Sequence, residues 1–199
     1  VLNYWRVHSN STSRGTCAKP YVVAAAKKAI GDHLQQVCPN ATVEEGLFPS
    51  TYKVSAPMPK DALVSILIPN KDHIEDLEKA LQSIYQKTIE CAFEVIVIEN
   101  NSTSPQTFAY YKTMEQTYPN CRMVQYQGNF NFSAINNFGR TYAKGNYLLL
   151  LNNDVEVINK EWLREMVSLC ARDGIGAVGA MLYYPDDTIQ HAGVIVGLG

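Results

Sequence analysis

The sequence has no long apolar run. Its longest buried-looking stretch, Tyr147 to Leu151, is strand length, far short of the roughly 20 residues that cross a bilayer, so no membrane span is expected in this piece. It has no basic run either. The net charge is −2, which leaves a nucleic-acid groove without electrostatic support. Paired cysteines are missing: Cys17, Cys38, Cys91, Cys121 and Cys170 are scattered, with no C-x-x-C pair and no His/Cys cluster at zinc spacing. They read as free thiols of a reducing compartment. No G-x-G-x-x-G follows a strand, and there is neither a G-x-x-x-x-G-K-[ST] loop nor a G-x-S-x-G elbow. These absences argue against dinucleotide binding of the Rossmann type, a phosphate loop and a serine hydrolase. The chain opens on Val1 without a signal-peptide pattern. It is expected to be cut from something longer and to act in the cytoplasm, the inner face of the membrane included.

What is present suffices for one domain plus an appendage, 199 residues in all. Residues 1–60 read as a connector. A helix is expected from Lys19 to about Val37, with Pro20 in its first turn. Val22, Val23, Ala26, Ala29, Ile30 and Leu34 keep helical spacing along it. Pro39-Asn40 stops it, two short extended pieces follow, and Ala56-Pro57-Met58-Pro59 marks a boundary. From 61 to 199 strands and helices alternate. Apolar strands are expected at 63–68, 93–98, 122–126 and 147–151, separated by helices at 74–86, 105–118 and 132–143, the last with Gly145 at its C-terminal end. A helix at 160–172 and strands at 175–183 and 189–196 complete the pattern. Such alternation implies right-handed crossovers and an α/β fold with a mostly parallel sheet, helices on both faces.

Ligands of such sheets bind beyond the carboxyl ends of the strands. Four polar clusters fall there: Asn70-Lys71-Asp72 after Pro69, Glu99-Asn100-Asn101-Ser102, Gly128-Asn129, and Asn152-Asn153-Asp154. A nucleotide bound without a Gly-rich loop needs its phosphates neutralised in another way, and a divalent cation on a strand-end carboxylate does this. Asp154 suits Mg2+ or Mn2+, which take hard oxygen ligands and accept diphosphate oxygens as further ones. The plain alternative is a solvated turn. Glu99 and Asn100 suit a base edge or ribose hydroxyls, whereas Ser102 reads equally as a local cap. Lys71 is either a surface lysine or a phosphate contact.

VSILIPNKD, EVIVIENNSTS and GNFNFSAINNFGRTYAKGNYLLLLNNDVEV, in that order and spacing, resemble family 2 glycosyltransferases of the GT-A fold. The resemblance spans about residues 62–196 and implies an inverting, metal-assisted transfer of a hexosyl or deoxyhexosyl group. The donor would be a nucleoside diphosphate sugar and the acceptor a hydroxyl of a glycan or lipid-linked acceptor. It assigns the nucleoside to the backbone near Pro69, Asn70 and Lys71 and to Glu99-Asn100, and the donor cleft to Asn131 and Asn137. Asn152-Asn153-Asp154 takes the D-x-D place, with Asp154 the metal ligand. Asn152 stands where that motif has its first acid, so the site carries one negative charge fewer. Residues 1–60 resemble the connector of large multi-module bacterial glycosyltransferases of polysaccharide assembly, whose further modules would be partners on the same polypeptide.

The family's catalytic base follows a later strand, and Gly197-Leu198-Gly199 is reached before such a segment. Asp186 and Asp187 read as a turn between strands, His191 as a core or cleft-wall residue, and no catalytic residue is assigned. The piece is therefore expected to bind donor without transferring sugar. A non-catalytic nucleotide-binding or scaffold module is the competing reading, motivated by Asn152. A sugar-1-phosphate nucleotidyltransferase would need a Gly-rich basic loop after the first strand, where Asn70-Lys71-Asp72-His73 stands instead.

Overall fold

A computed structural model describes residues 21–194 of the chain. The expected helix start at Lys19-Pro20, the end of the last expected strand, Cys17 and Gly197-Leu198-Gly199 lie outside them. Two compact units divide between Pro57 and Met58. In the first, α1 (Tyr21–Val37) buries Leu34, and β1 (Thr42–Glu45) pairs antiparallel with β2 (Tyr52–Ser55). The Lys28–Asp32 ion pair at 2.7 Å is exposed on both sides and adds little stability.

The second unit is built on a four-stranded sheet, all parallel, in the order β5-β4-β3-β6. Its strands are β3 (Leu63–Asn70), β4 (Ala92–Glu99), β5 (Cys121–Gln125) and β6 (Tyr147–Leu150). The crossover helices are α2 (Ile74–Lys87), α3 (Pro105–Thr117) and α4 (Phe132–Arg140), and α5 (Trp162–Cys170) follows β6. Successive residues point to opposite faces, and two cores result. Val64, Ile66, Ile68, Val95 and Val97 pack with Leu77, Leu81, Tyr111, Met114, Leu163 and Val167 on one face. Leu67, Ile96 and Ile98 pack with Val124 and Ile135 on the other. Each such fully buried aliphatic side chain contributes about 1.5–3 kcal/mol, and β3 and β4 supply them to both faces.

β3 runs through Pro69 to Asn70 instead of stopping at the proline. The Asn70 carbonyl accepts from Asn100 N–H just past β4, while the Leu67 carbonyl accepts from Leu151 N–H beyond β6. Alternate residues thus address alternate neighbours, and Pro69 faces the β6 side past that strand's last paired residue. No ladder donor is lost.

Gly145 is no helix cap, because α4 ends at Arg140. Its role is close approach: a Cβ there would lie 2.5 Å from the Leu63 carbonyl oxygen and 2.7 Å from Ser65 N. Gly139 likewise lets α4 lie against β4, where a Cβ would meet Ile98 Cδ1 at 2.3 Å.

The expected strands at 175–183 and 189–196 shrink to β7 (Leu182–Tyr183) and β8 (Ile189–His191), an antiparallel pair separate from the main sheet. Residues 175–181 form no strand. Alternation selects residues that suit a sheet, but a strand needs a partner, and Gly174, Gly176 and Gly179 weaken this one further. Asp186 and Asp187 do form the turn between β7 and β8, Asp186 accepting from Thr188 N at 3.1 Å and Thr188 Oγ1 at 2.6 Å. His191 is exposed, not a core residue. Among the described residues no helix is long and apolar enough to cross a membrane.

Candidate functional site

The polar strand ends meet on one edge because all four strands run the same way. At the end of β4, Glu99 is 0% exposed. Its Oε1 accepts from Ser102 N at 2.5 Å, and its Oε2 accepts from Ser102 Oγ at 2.6 Å and Tyr111 Oη at 2.5 Å. Both carboxylate oxygens are therefore occupied within the protein. Burial, and next the bond to Glu99, push the Tyr111 phenol far above its ordinary value, so it stays a neutral donor.

The same hydroxyl accepts from Asn70 Nδ2 at 2.9 Å. Asn70 Oδ1 in turn accepts from Asn153 Nδ2 at 2.7 Å. One hydrogen-bonded chain, Glu99–Tyr111–Asn70–Asn153, thus links the ends of β4, β3 and β6 through a helix residue. Asn153 is anchored by it, while Asn152 and Asp154 on either side are exposed.

Asp72 clamps the loop after β4. It adopts φ 62°, a left-handed conformation that Asp tolerates better than most residues. Its carboxylate accepts from Ser104 N and Thr103 N, each at 3.0 Å, and its own N–H donates to Ser102 Oγ at 2.9 Å. The Ser104 N–H above all, aided by Thr103 and Thr107 against some desolvation, holds the Asp72 carboxyl below its ordinary value. Asn100 Nδ2 and Asn101 Nδ2 both donate to the Gly128 carbonyl, at 2.9 and 2.7 Å, tying the loop after β5 to the same edge.

Pro69, Asn70, Glu99, Asn100, Ser102 and Asn153 are thus gathered on one edge, with Asn152, Asp154 and exposed Lys71 beside them. Asn131 plays a different part and caps α4, its Oδ1 accepting from Ala134 N at 2.9 Å. Asn137 lies on α4 and lines a cavity along β6. Tyr111 and the clamp role of Asp72 escaped the sequence reading. The available signal for Tyr111 was a tyrosine on the inward face of a helix, where the hydroxyl must find a partner.

At the opposite, amino end of the sheet a cavity of about 400 Å3 is lined in part by Glu94, Arg122 and Lys144. Glu94 accepts there from Ser65 Oγ at 2.6 Å, Arg122 Nη1 at 2.8 Å and Lys144 N at 2.6 Å. Burial alone would raise the Glu94 carboxyl; these bonds outweigh it and bring it below the ordinary range. That cluster is a satisfied strut between strands. Among the described residues Cys38, Cys91, Cys121 and Cys170 are free thiols, and burial pushes Cys121 up to about 12.

As for a metal, no group of three His, Cys, Asp or Glu side chains among the described residues could hold one. An exposed carboxylate next to two amides, with no His or Cys beside it, does not suit zinc or a closed cage. It does fit Mg2+, or Mn2+ of like ligand preference, a cation that keeps its waters and shares a substrate's diphosphate.

A parallel sheet sandwiched by helices, with an anionic turn on its carboxyl edge, defines an α/β domain of the GT-A class. The chain belongs to glycosyl transferase family 2, whose model matches residues 65–193. It is 40% identical over 200 residues to the uncharacterized protein y4gI of Sinorhizobium fredii, covering 100% of this chain and 22% of that one. It is 38% identical over 188 residues to the O-antigen biosynthesis protein RfbC of Myxococcus xanthus, covering 94% of this chain and 14% of that protein. The chain thus spans less than a quarter of either relative. The mannosyltransferase PcManGT of Pyrobaculum calidifontis, solved with GDP-Man and Mn2+, superposes with a TM-score of 0.54 at 21% identity, over 67% of this chain and 39% of that one. That likeness is one of fold.

Proposed function

We propose that this chain is the donor-binding part of a glycosyltransferase of polysaccharide assembly, working on the cytoplasmic side. A nucleoside diphosphate sugar lies across the carboxyl edge. Its nucleoside sits by the backbone of Pro69 to Lys71 and the Asn100 loop, and its diphosphate reaches the Asn152-Asn153-Asp154 turn. Glu99 holds the loop and does not touch the nucleoside, since both its oxygens are taken. Asp154 is the protein ligand to Mg2+ or Mn2+, with Asn152 beside it. When bound, the cation offsets the charge that develops on the leaving diphosphate.

The observation that carries this reading is the anchored turn. Asn153 is fixed to Asn70, and the one carboxylate next to it is left exposed at the end of an apolar strand. Support also comes from the GDP-Man and Mn2+ bound to the structurally similar mannosyltransferase and from the O-antigen role in the name of the Myxococcus relative.

In the inverting reaction an acceptor hydroxyl of a glycan or lipid-linked acceptor attacks the anomeric carbon. The bond to the diphosphate breaks, and a carboxylate takes the hydroxyl proton. Asp186 is bound up in a turn and does not fill that role. In this reading the described residues bind donor, and none of their carboxylates is assigned as the base.

Calorimetry with several nucleoside diphosphates, with Mn2+ and with chelator, tests the reading. Asp154→Ala is expected to leave the melting midpoint unchanged and to weaken the metal-dependent affinity at least about tenfold, or 1.4 kcal/mol. Equal metal-dependent binding by that variant would remove Asp154 from the site. If the unaltered chain shows no metal-dependent binding at all, the scaffold reading, motivated by Asn152, takes over.

A further inference from the structure

Three residues past the Asn152-Asn153-Asp154 turn, the chain is gripped again, this time by a helix. Residues 155–161 lie in no helix or strand, yet Val157 among them is 6% exposed and belongs to the core that also holds Leu81 and Ile84 of α2. Side chains of α2 take both backbone groups of this one residue. The Val157 N–H donates to Ser83 Oγ at 2.9 Å, and its carbonyl accepts from Lys87 Nζ at 2.7 Å. Ser83 and Lys87 stand one helical turn apart, so they meet the peptide units on either side of Val157 together. Ser83 Oγ itself donates to the Ala80 carbonyl at 2.8 Å and so keeps lone-pair capacity for Val157. Where the segment ends, Trp162 Nε1 donates to Thr88 Oγ1 at 3.1 Å.

Apolar burial alone would keep a valine inside, but it is non-directional and would not set the course of the backbone leaving it. Two hydrogen bonds to the N–H and the carbonyl of one residue do set it. The ammonium donor makes the stronger kind of bond, and it is aimed at a carbonyl that has no ladder to join. Running back from Val157, the chain reaches the Asp154 Cα within at most about 11 Å. On the other side of Asp154, Asn153 is fixed to Asn70. The exposed carboxylate thus sits between two fixed points. With Asn at position 152 it is the turn's one acid, and no second carboxylate beside it can make good a misplacement.

We propose that Lys87 and Ser83 are positioning residues for Asp154: through Val157 they hold its carboxylate where it meets a divalent cation shared with a diphosphate. They act through the backbone and not by contact with donor or cation. The proposal rests on the donor-site reading of Asp154. A ligand group held in advance loses less freedom when the cation arrives. Removing a group that orients such a ligand typically costs about 10–100-fold in metal affinity.

The test titrates GDP, UDP, ADP, CDP and dTDP in turn into the full polypeptide that contains this chain. Each is run with Mn2+ and with chelator, and the ratio of the two affinities is read. Lys87→Met is expected to lower that ratio about tenfold while binding in chelator holds. Lys87→Arg keeps charge and donor and should retain most of the ratio; Ser83→Ala changes no charge and should lower it too. In an Asp154→Ala background, Lys87→Met should move the ratio by less than about twofold, because the group it positions is gone. An undiminished ratio in Lys87→Met overturns the proposal, as does an equal loss in Lys87→Arg or a loss that Ser83→Ala does not share. So does the same loss with and without Asp154, or a parallel fall of affinity in chelator, the mark of a general loosening. If Asp154→Ala itself leaves the ratio intact, the donor-site reading fails and this proposal falls with it. A ratio that drops with Asp154→Ala but not with Lys87→Met refutes the positioning role alone.

Discussion

The two halves of the carboxyl edge are held in different ways. At the ends of β3 and β4, Asn70, Glu99, Ser102 and Asp72 exchange hydrogen bonds with one another and with Tyr111, Thr103 and Ser104. At the end of β6 a single side-chain bond among the described residues, Asn153 to Asn70, ties the turn down, and the strand beneath it is half exposed. One half is a rigid frame. The other is a strand and turn with fewer contacts to the rest of the sheet.

The sharpest measure of this difference is a matched pair of leucines. Leu67 and Leu150 face each other across the β3–β6 ladder, yet one is 0% and the other 51% exposed. Leu67→Ala is expected to cost about 2–5 kcal/mol, the range for emptying a packed site. Leu150→Ala should cost less than half as much, since half of its surface is already in water. Urea unfolding of both variants reads the contrast directly. Equal losses would mean that the β6 edge is as covered as the centre of the sheet.

A smaller effect separates the frame from its contents. Tyr111→Phe removes the hydroxyl that joins Glu99 to Asn70 and leaves both with an unmet bond, for roughly 1–2 kcal/mol of stability. Because Asn70 also holds Asn153, the variant should weaken metal-dependent nucleotide binding as well, although position 111 is buried behind the edge. A loss of stability with unchanged binding would show that the chain of bonds ends at Asn70.

Much of this was legible in the sequence for a physical reason. A run such as VSILI suits only a strand buried on both faces, and polar residues directly after the strands fall on one edge once the sheet is parallel; YLLLL forms its strand but stays half exposed. What was not legible depends on tertiary contact. Glu99 reads as a ligand group until Tyr111, twelve residues on, closes over it. Asp72 reads only as part of a polar strand end until the loop at 103–104 comes to its carboxylate. Gly145 imitates a helix cap, and only the Leu63 carbonyl beside it reveals why a side chain is barred. The alternation at 175–183 is real, but it states what the segment suits and not whether a partner is at hand.

The smallest effect on stability should come from the position where the loose half departs from the family's motif. Asn152 and Asp154 are both exposed, with anchored Asn153 between them. Asn152→Asp adds a carboxylate to a surface turn, so the folding free energy should move by no more than about 0.5 kcal/mol. Any change in that direction would be a slight loss from repulsion by Asp154 in the absence of a cation. Binding should respond far more strongly. A second hard oxygen ligand beside Asp154 is expected to tighten Mn2+-dependent nucleoside diphosphate binding about tenfold, equivalent to 1.4 kcal/mol, while binding in chelator falls because the added charge opposes the diphosphate. These opposite changes, measured on a variant of unaltered stability, are what a metal-and-diphosphate turn requires. A solvated turn of no function would give neither, and a turn that met the phosphate without metal would give only the second.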